Sequence, residues 1–155
     1  LIAAHGGLQS GHTFTGHTAA CAAGVAVQKI VERDNLLERV RERGARLLEE
    51  LRAEFADLPE VGDIRGRGYF IGLEIVADPV TRRPFPAALQ VHADIGRTAF
   101  GRGLICYPCA GNVDGVEGDT VIIAPPYNAT DAELDELTSL LSGAIREAVA
   151  RARAA

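Results

Sequence analysis

Four groups of residues in this chain have types and spacings that chemistry uses. The first is "SGHTFTGHT", residues 10–18. Glycines let a backbone approach an anion closely, and Thr13 adds a hydroxyl. A helix starting just beyond would present free N–H groups and the positive end of its dipole. That combination suits a phosphate, although Gly and Thr ahead of a helix also make an ordinary turn. The second is "CYPC", Cys106 to Cys109. A redox pair of this spacing opens a helix after a strand, whereas this one lies at a strand end. A zinc site wants four ligands, and His5, His12, His17 and His92 are scattered along the chain. Two small apolar residues are the simpler reading. The third is "RGRG", residues 65–68, either a nest of N–H groups for an anion or a turn between two strands. The fourth is Lys29, the single lysine beside fifteen arginines. A catalytic lysine is desolvated or held against a cofactor. Lys29 has Gln28, Glu32, Arg33 and Asp34 for neighbours at a helix end, and it reads as solvated.

At 155 residues and 47% hydrophobic, the chain can bury one core, as one domain or one domain with a piece of another. A formal net charge of -5 argues against nucleic acid as a partner. No apolar run is long enough to span a bilayer, and the first residues lack the pattern of a signal peptide. Three cysteines without a secretion signal point to free thiols and a cytoplasmic setting. The chain contains no Met and begins at Leu1, so it is expected to be part of a longer protein.

The elements that must position these groups follow from periodicity. Residues 16–33 predict an Ala-rich helix capped by Thr15 or Thr18. Leu36, Leu37, Val40, Leu47, Leu48, Leu51 and Phe55 mark the buried stripe of a second helix, whose charged run "ERVRERGARLLEELRAE" reads as its solvated face. A short strand at 63–65, a kink at 66–68 and an alternating strand at 69–76 follow. A helix over 87–102, strands "LICY" and "TVIIA", and a last helix with a capping box at Thr130–Glu133 complete the order. This is an α+β layer: a small, mostly antiparallel sheet with helices packed on one face.

"GHTFTGHTAACAAGVAV", "IRGRGYFIGLEIV", "GLICYPCAG" and "VIIAPPYNATDAELDEL" stand here in the order found in class III aminotransferases. The chain resembles the C-terminal portion of these fold type I enzymes, which use pyridoxal 5'-phosphate (PLP). The resemblance implies that residues 1–34 end the large cofactor domain and 35–155 form the small C-terminal domain. It implies a homodimer, or a higher homo-oligomer, with the cofactor site at the interface. Thr13 would bond the phosphate of the neighbouring subunit's PLP, with the backbone of His12 assisting. The lysine that holds the cofactor, and the acidic partner of its ring nitrogen, belong upstream of this segment. No catalytic residue is therefore expected here, and the chain alone should be inactive.

The same resemblance gives the expected substrates: a small-molecule amine or amino acid as donor and a keto acid as acceptor. Three positions depart from the family pattern. Thr18 stands where a Pro is usual. Ile122 and Tyr107 stand where some members carry carboxylate-binding arginines, and Tyr107 is the candidate substrate-pocket residue. Two alternatives stay open at this level: another PLP reaction of the same family, such as an aminomutase, or a non-catalytic α+β module that binds a partner.

Overall fold

The computed structural model describes Gly6 and residues 11–155. They fall into two units, one ending at Leu36 and one running from Leu37 to Ala155.

The first unit holds a turn at 13–16 and helix α1, Thr18–Arg33. Neither threonine caps the helix. His17 is the N-cap, and its Nδ1 accepts the Ala20 N–H at 3.3 Å. Gly16, with φ +78°, stops helical geometry from extending back to residue 16. Thr15 is unavailable as a cap because its Oγ1 accepts the His12 N–H at 2.9 Å. No residue of α1 is buried.

Helix α2, Leu36–Glu54, leads into the second unit. There follow β1 (Val61–Arg67), β2 (Phe70–Ile75), α3 (Val91–Gly101), β3 (Tyr107–Ala110), β4 (Asp119–Ile123) and α4 (Asp131–Ala154). The four strands form one sheet in the order β1-β2-β4-β3, with all three pairings antiparallel. Period-two alternation sends Ile64, Ile71, Leu73, Ile75, Val121 and Ile123 to the buried face. There they join Leu47, Leu51, Ile95, Leu134, Leu141 and Ile145 of the helices in a single core. The α+β class and the one-sided helical layer are those the periodicity predicts.

Several boundaries differ from expectation. The "RGRG" stretch does not kink the chain. β1 runs through it to Arg67, which pairs with Phe70, leaving Gly68 and Tyr69 as a tight hairpin loop. Gly68 adopts φ +58°, and a Cβ on Gly44 of α2 would lie only 2.5 Å from its carbonyl group. Two glycines thus let α2 seat directly on the hairpin. Strand β3 starts at Tyr107 rather than at Leu104, because its extent is set by pairing with β4. Leu37 is exposed and does not join the α2 stripe. The charged run of α2 is not wholly solvated either. Arg43 is buried, with Glu50 at 2.7 Å, Asp131 at 3.0 Å and Asp135 at 3.4 Å.

Candidate cofactor and substrate site

The turn before α1 leaves the Thr13 side chain exposed, and its hydroxyl takes no partner among the described residues. Backbone bonds Thr15 N–H to His12 O (2.8 Å) and His17 N–H to Phe14 O (3.0 Å) wind the turn tightly. The Phe14 ring meets His17 edge-on, with centroids 5.9 Å apart. A short loop with an outward hydroxyl at the mouth of a helix fits a phosphate group. The His12 amide is engaged: it donates to Thr15 Oγ1, and an anion using it would displace that bond. His5 and Ser10 lie outside the described residues. Lys29 is exposed on α1.

In the second unit the strand register assembles a feature that no single segment displays. Arg65, Gly72, Ile122 and Tyr107 stand opposite one another across all four strands. They lie on the face away from the helices. Tyr107, 68% exposed, is paired directly with Ile122. The two positions singled out by their departure from arginine are therefore one cross-strand pair. Phe70, 64% exposed, lies on the same face.

The cation of this row is already engaged. Arg65 donates to Asp63 at 2.5 Å and to Glu74 at 3.1 Å. The bonds to Asp63 and then Glu74 push its guanidinium pKa up, so it stays charged and paired. Asn112 adds a bond to Glu74 at 3.2 Å. Period-two alternation places Asp63 and Arg65 on one face, but the contribution of Glu74 depends on the hairpin register. "RGRG" is thus a strand whose first arginine is committed to carboxylates, and not an anion nest.

The two cysteines of "CYPC" are free. Three residues of extended chain separate their Cα atoms by roughly 10 Å, beyond disulfide reach. Burial pushes the Cys106 thiol pKa up, which makes it a poor nucleophile. Among the described residues no group of three or more His, Cys, Asp or Glu side chains could hold a metal ion. His92 has a structural partner that the sequence does not announce. Asp119, buried at the start of β4, accepts its N–H at 2.8 Å, and its Nδ1 lies 2.6 Å from the same oxygen. Asp119 supplies the cap that Gln90, in a left-handed conformation, does not.

The chain matches the family model of aminotransferase class-III over residues 2–145. An uncharacterized aminotransferase of Schizosaccharomyces pombe is 44% identical over 138 residues, covering 89% of this chain and 30% of that protein. The diaminobutyrate--2-oxoglutarate transaminase of Halomonas elongata is 36% identical over 143 residues, covering 92% and 29%. Among solved structures, the omega-transferase of Vibrio fluvialis JS17 superposes with a TM-score of 0.80 at 32% identity, covering 99% of this chain and 35% of that one. A structure from directed evolution of transaminases by ancestral reconstruction gives 0.82 at 35% identity, covering 95% and 31%. The chain spans about 30% of the length of the curated relatives it matches. With a family match over nearly its whole length and solved transaminases sharing its fold, the chain belongs to the class III aminotransferases.

Proposed function

We propose that this chain is the C-terminal part of a PLP-dependent aminotransferase that moves an amino group from an amine or amino-acid donor to a keto acceptor. The observation that carries the reading is the family match over residues 2–145. PLP, when bound, supplies the electron sink for labilising the bond at the donor's amino carbon. The residues of this segment bind and orient. Thr13 Oγ1 would hold the phosphate of the cofactor bound by the neighbouring subunit, in a homodimer or a higher homo-oligomer with the site at its interface. The His12 amide would assist in holding that phosphate by giving up its bond to Thr15 Oγ1. Tyr107 and Ile122 face the part of the donor remote from its amino group. No arginine stands at either position, and Arg65 in the same row is paired. A donor carboxylate therefore finds no unpaired cation in that row. Residues 1–34 belong to the large cofactor domain and 35–155 to the small one. No helix among the described residues is long and apolar enough to cross a membrane, and three free thiols suit a cytoplasmic setting.

The test uses the longer protein that carries this segment. With PLP, an amine donor and pyruvate, it should form alanine stoichiometrically with the donor's carbonyl product. Absence of transfer with any amine or amino-acid donor overturns the proposal. The 155-residue chain alone should remain inert. Borohydride reduction in the presence of PLP should leave no stoichiometric adduct at Lys29, and an adduct there with turnover would contradict the assignment.

A further inference from the structure

Helix α3 carries a glycine in its middle, Gly96, although glycine is among the poorest helix formers. The packing of this domain shows why. A Cβ on Gly96 would lie 2.8 Å from Pro108 Cγ and 3.5 Å from Pro108 Cβ, whereas carbon atoms in contact sit about 3.5–4.0 Å apart. Gly101 of the same helix would meet nothing within 4 Å, so the close fit belongs to position 96 and not to the helix as a whole. The neighbour is a ring closed onto its own backbone, with no rotamer through which to swing aside. Gly96 is a notch in α3 that seats the Pro108 ring.

Pro108 pairs with Val121 of β4, and Tyr107, the residue before it, pairs with Ile122. Period-two alternation turns Pro108 towards the helices and Tyr107 to the opposite face. A shift of one therefore carries the other. Burial decides which element yields to bulk at position 96. Val91, Ile95 and Ala99 hold α3 in the core, each no more than 1% exposed, and Asp119 accepts the His92 N–H at its start. Strand β3 has four residues, none of them buried, and lies at the edge of the sheet beside β4. A side chain at position 96 would move β3 and leave α3 in place. We infer that Gly96 is a positioning residue of the substrate site: through Pro108 it sets the height at which β3 presents Tyr107. The inference rests on the proposed aminotransferase reading, in which Tyr107 faces the donor, and adds to it a residue of another element that acts only through Pro108.

The experiment uses the longer protein with pyruvate as acceptor. The donor is whichever of 2-aminobutane, β-alanine, 4-aminobutyrate and 2,4-diaminobutyrate the wild type turns over fastest. Displacements of about 1 Å made far from the chemistry can cost a hundredfold in rate, so Gly96→Ala should lower kcat/KM for the donor at least tenfold. PLP affinity should stay within twofold, because the cofactor residues proposed here lie on another unit. Two double variants separate positioning from general damage. Pro108→Ala removes the ring that the new methyl would strike, so adding Gly96→Ala to it should change kcat/KM by less than twofold. Tyr107→Ala removes the group being positioned, so it should lower kcat/KM by itself, and adding Gly96→Ala to it should again change little. The Pro108→Ala pair relieves the overpacking and keeps the test open if Gly96→Ala alone does not fold. Unchanged donor kinetics in Gly96→Ala would overturn the inference. So would a full loss that persists beside Pro108→Ala or beside Tyr107→Ala, or an equal loss of PLP affinity. Wild-type kinetics in Tyr107→Ala would overturn it too, while leaving the aminotransferase reading intact. A wild type that uses none of the four donors overturns the inference, and one that transfers from no donor at all overturns the proposed function as well.

Discussion

Thr13 is the residue on which the cofactor half of the proposal turns. A phosphate ahead of α1 meets backbone N–H groups and the helix dipole whatever occupies position 13. The hydroxyl adds one hydrogen bond to a charged acceptor, worth about 1.5–3 kcal/mol. Thr13→Val keeps the shape and removes the bond, so PLP affinity should fall roughly tenfold to a hundredfold. Fluorescence titration of the cofactor measures this. Because the bond is assigned across subunits, mixed dimers locate it. Thr13→Val subunits are paired with subunits lacking the upstream lysine. The one lysine-bearing site then faces an intact Thr13 and should bind PLP normally. Weak binding there would place Thr13 in its own subunit's site. The candidate at Thr13 was legible because Gly, Thr and a helix start are local features. The engaged amide of His12 was not, since it depends on which donor the Thr15 hydroxyl chooses. The pairing of Tyr107 with Ile122 was also hidden, because it is created by register across the loop between β3 and β4.

At the scale of elements, α4 shows what sequence can specify outright. Thr130 Oγ1 accepts the Glu133 N–H, and Glu133 accepts the Thr130 N–H at 2.7 Å, closing the reciprocal box. Thr130→Ala should lower stability by about 1 kcal/mol, read from denaturant midpoints of the chain. The box also has a pH signature. Bonds from the Thr130 backbone N–H, and then from its hydroxyl, hold the Glu133 carboxyl pKa below its ordinary value. A depressed carboxylate pKa stabilises the fold above the unfolded-state value, and that stabilisation is lost as pH falls through the folded-state value. Glu133→Gln keeps an acceptor at this position without the titration. Below the ordinary carboxylate range the wild type should therefore lose stability more steeply than Glu133→Gln. Parallel acid-unfolding slopes would contradict the assignment. Strand ends were less legible than helix starts. A capping box is written in four adjacent residues, whereas the length of β3 is dictated by β4, and β3 runs through Pro108 because it is an edge strand. The His17 cap escaped the usual Ser, Thr, Asp and Asn rule because Gly16 moved the helix start by two residues.

At the scale of the molecule, the remaining question is how the 155-residue chain behaves in solution. Its two sheet edges are poor contacts for another copy. β3 is four residues long and carries Pro108, and β1 presents Asp63, Arg65 and Arg67. α1 is different. It has sixteen residues and buries none of them. A helix of this length is marginal in water without a packed face. Its outward residues include Val25, Val27 and Ile30, with Phe14 exposed in the turn before it. Ala19, Ala20, Ala22, Ala23 and Ala26 allow another backbone to come close. Apolar surface of this kind tends to find a partner, and the partner proposed for the intact enzyme is a second subunit. The chain should therefore self-associate as concentration rises, with a weight-average mass in sedimentation that climbs above the 16.4 kDa of one chain. Ala22 and Ala26 stand one turn apart on the same side of α1. Ala22→Glu combined with Ala26→Glu keeps good helix formers while placing two charges on that side. The double variant should sediment as a monomer at concentrations where the parent associates. A parent that stays monomeric across the whole range, or a double variant that associates equally, would show that α1 is not the contact.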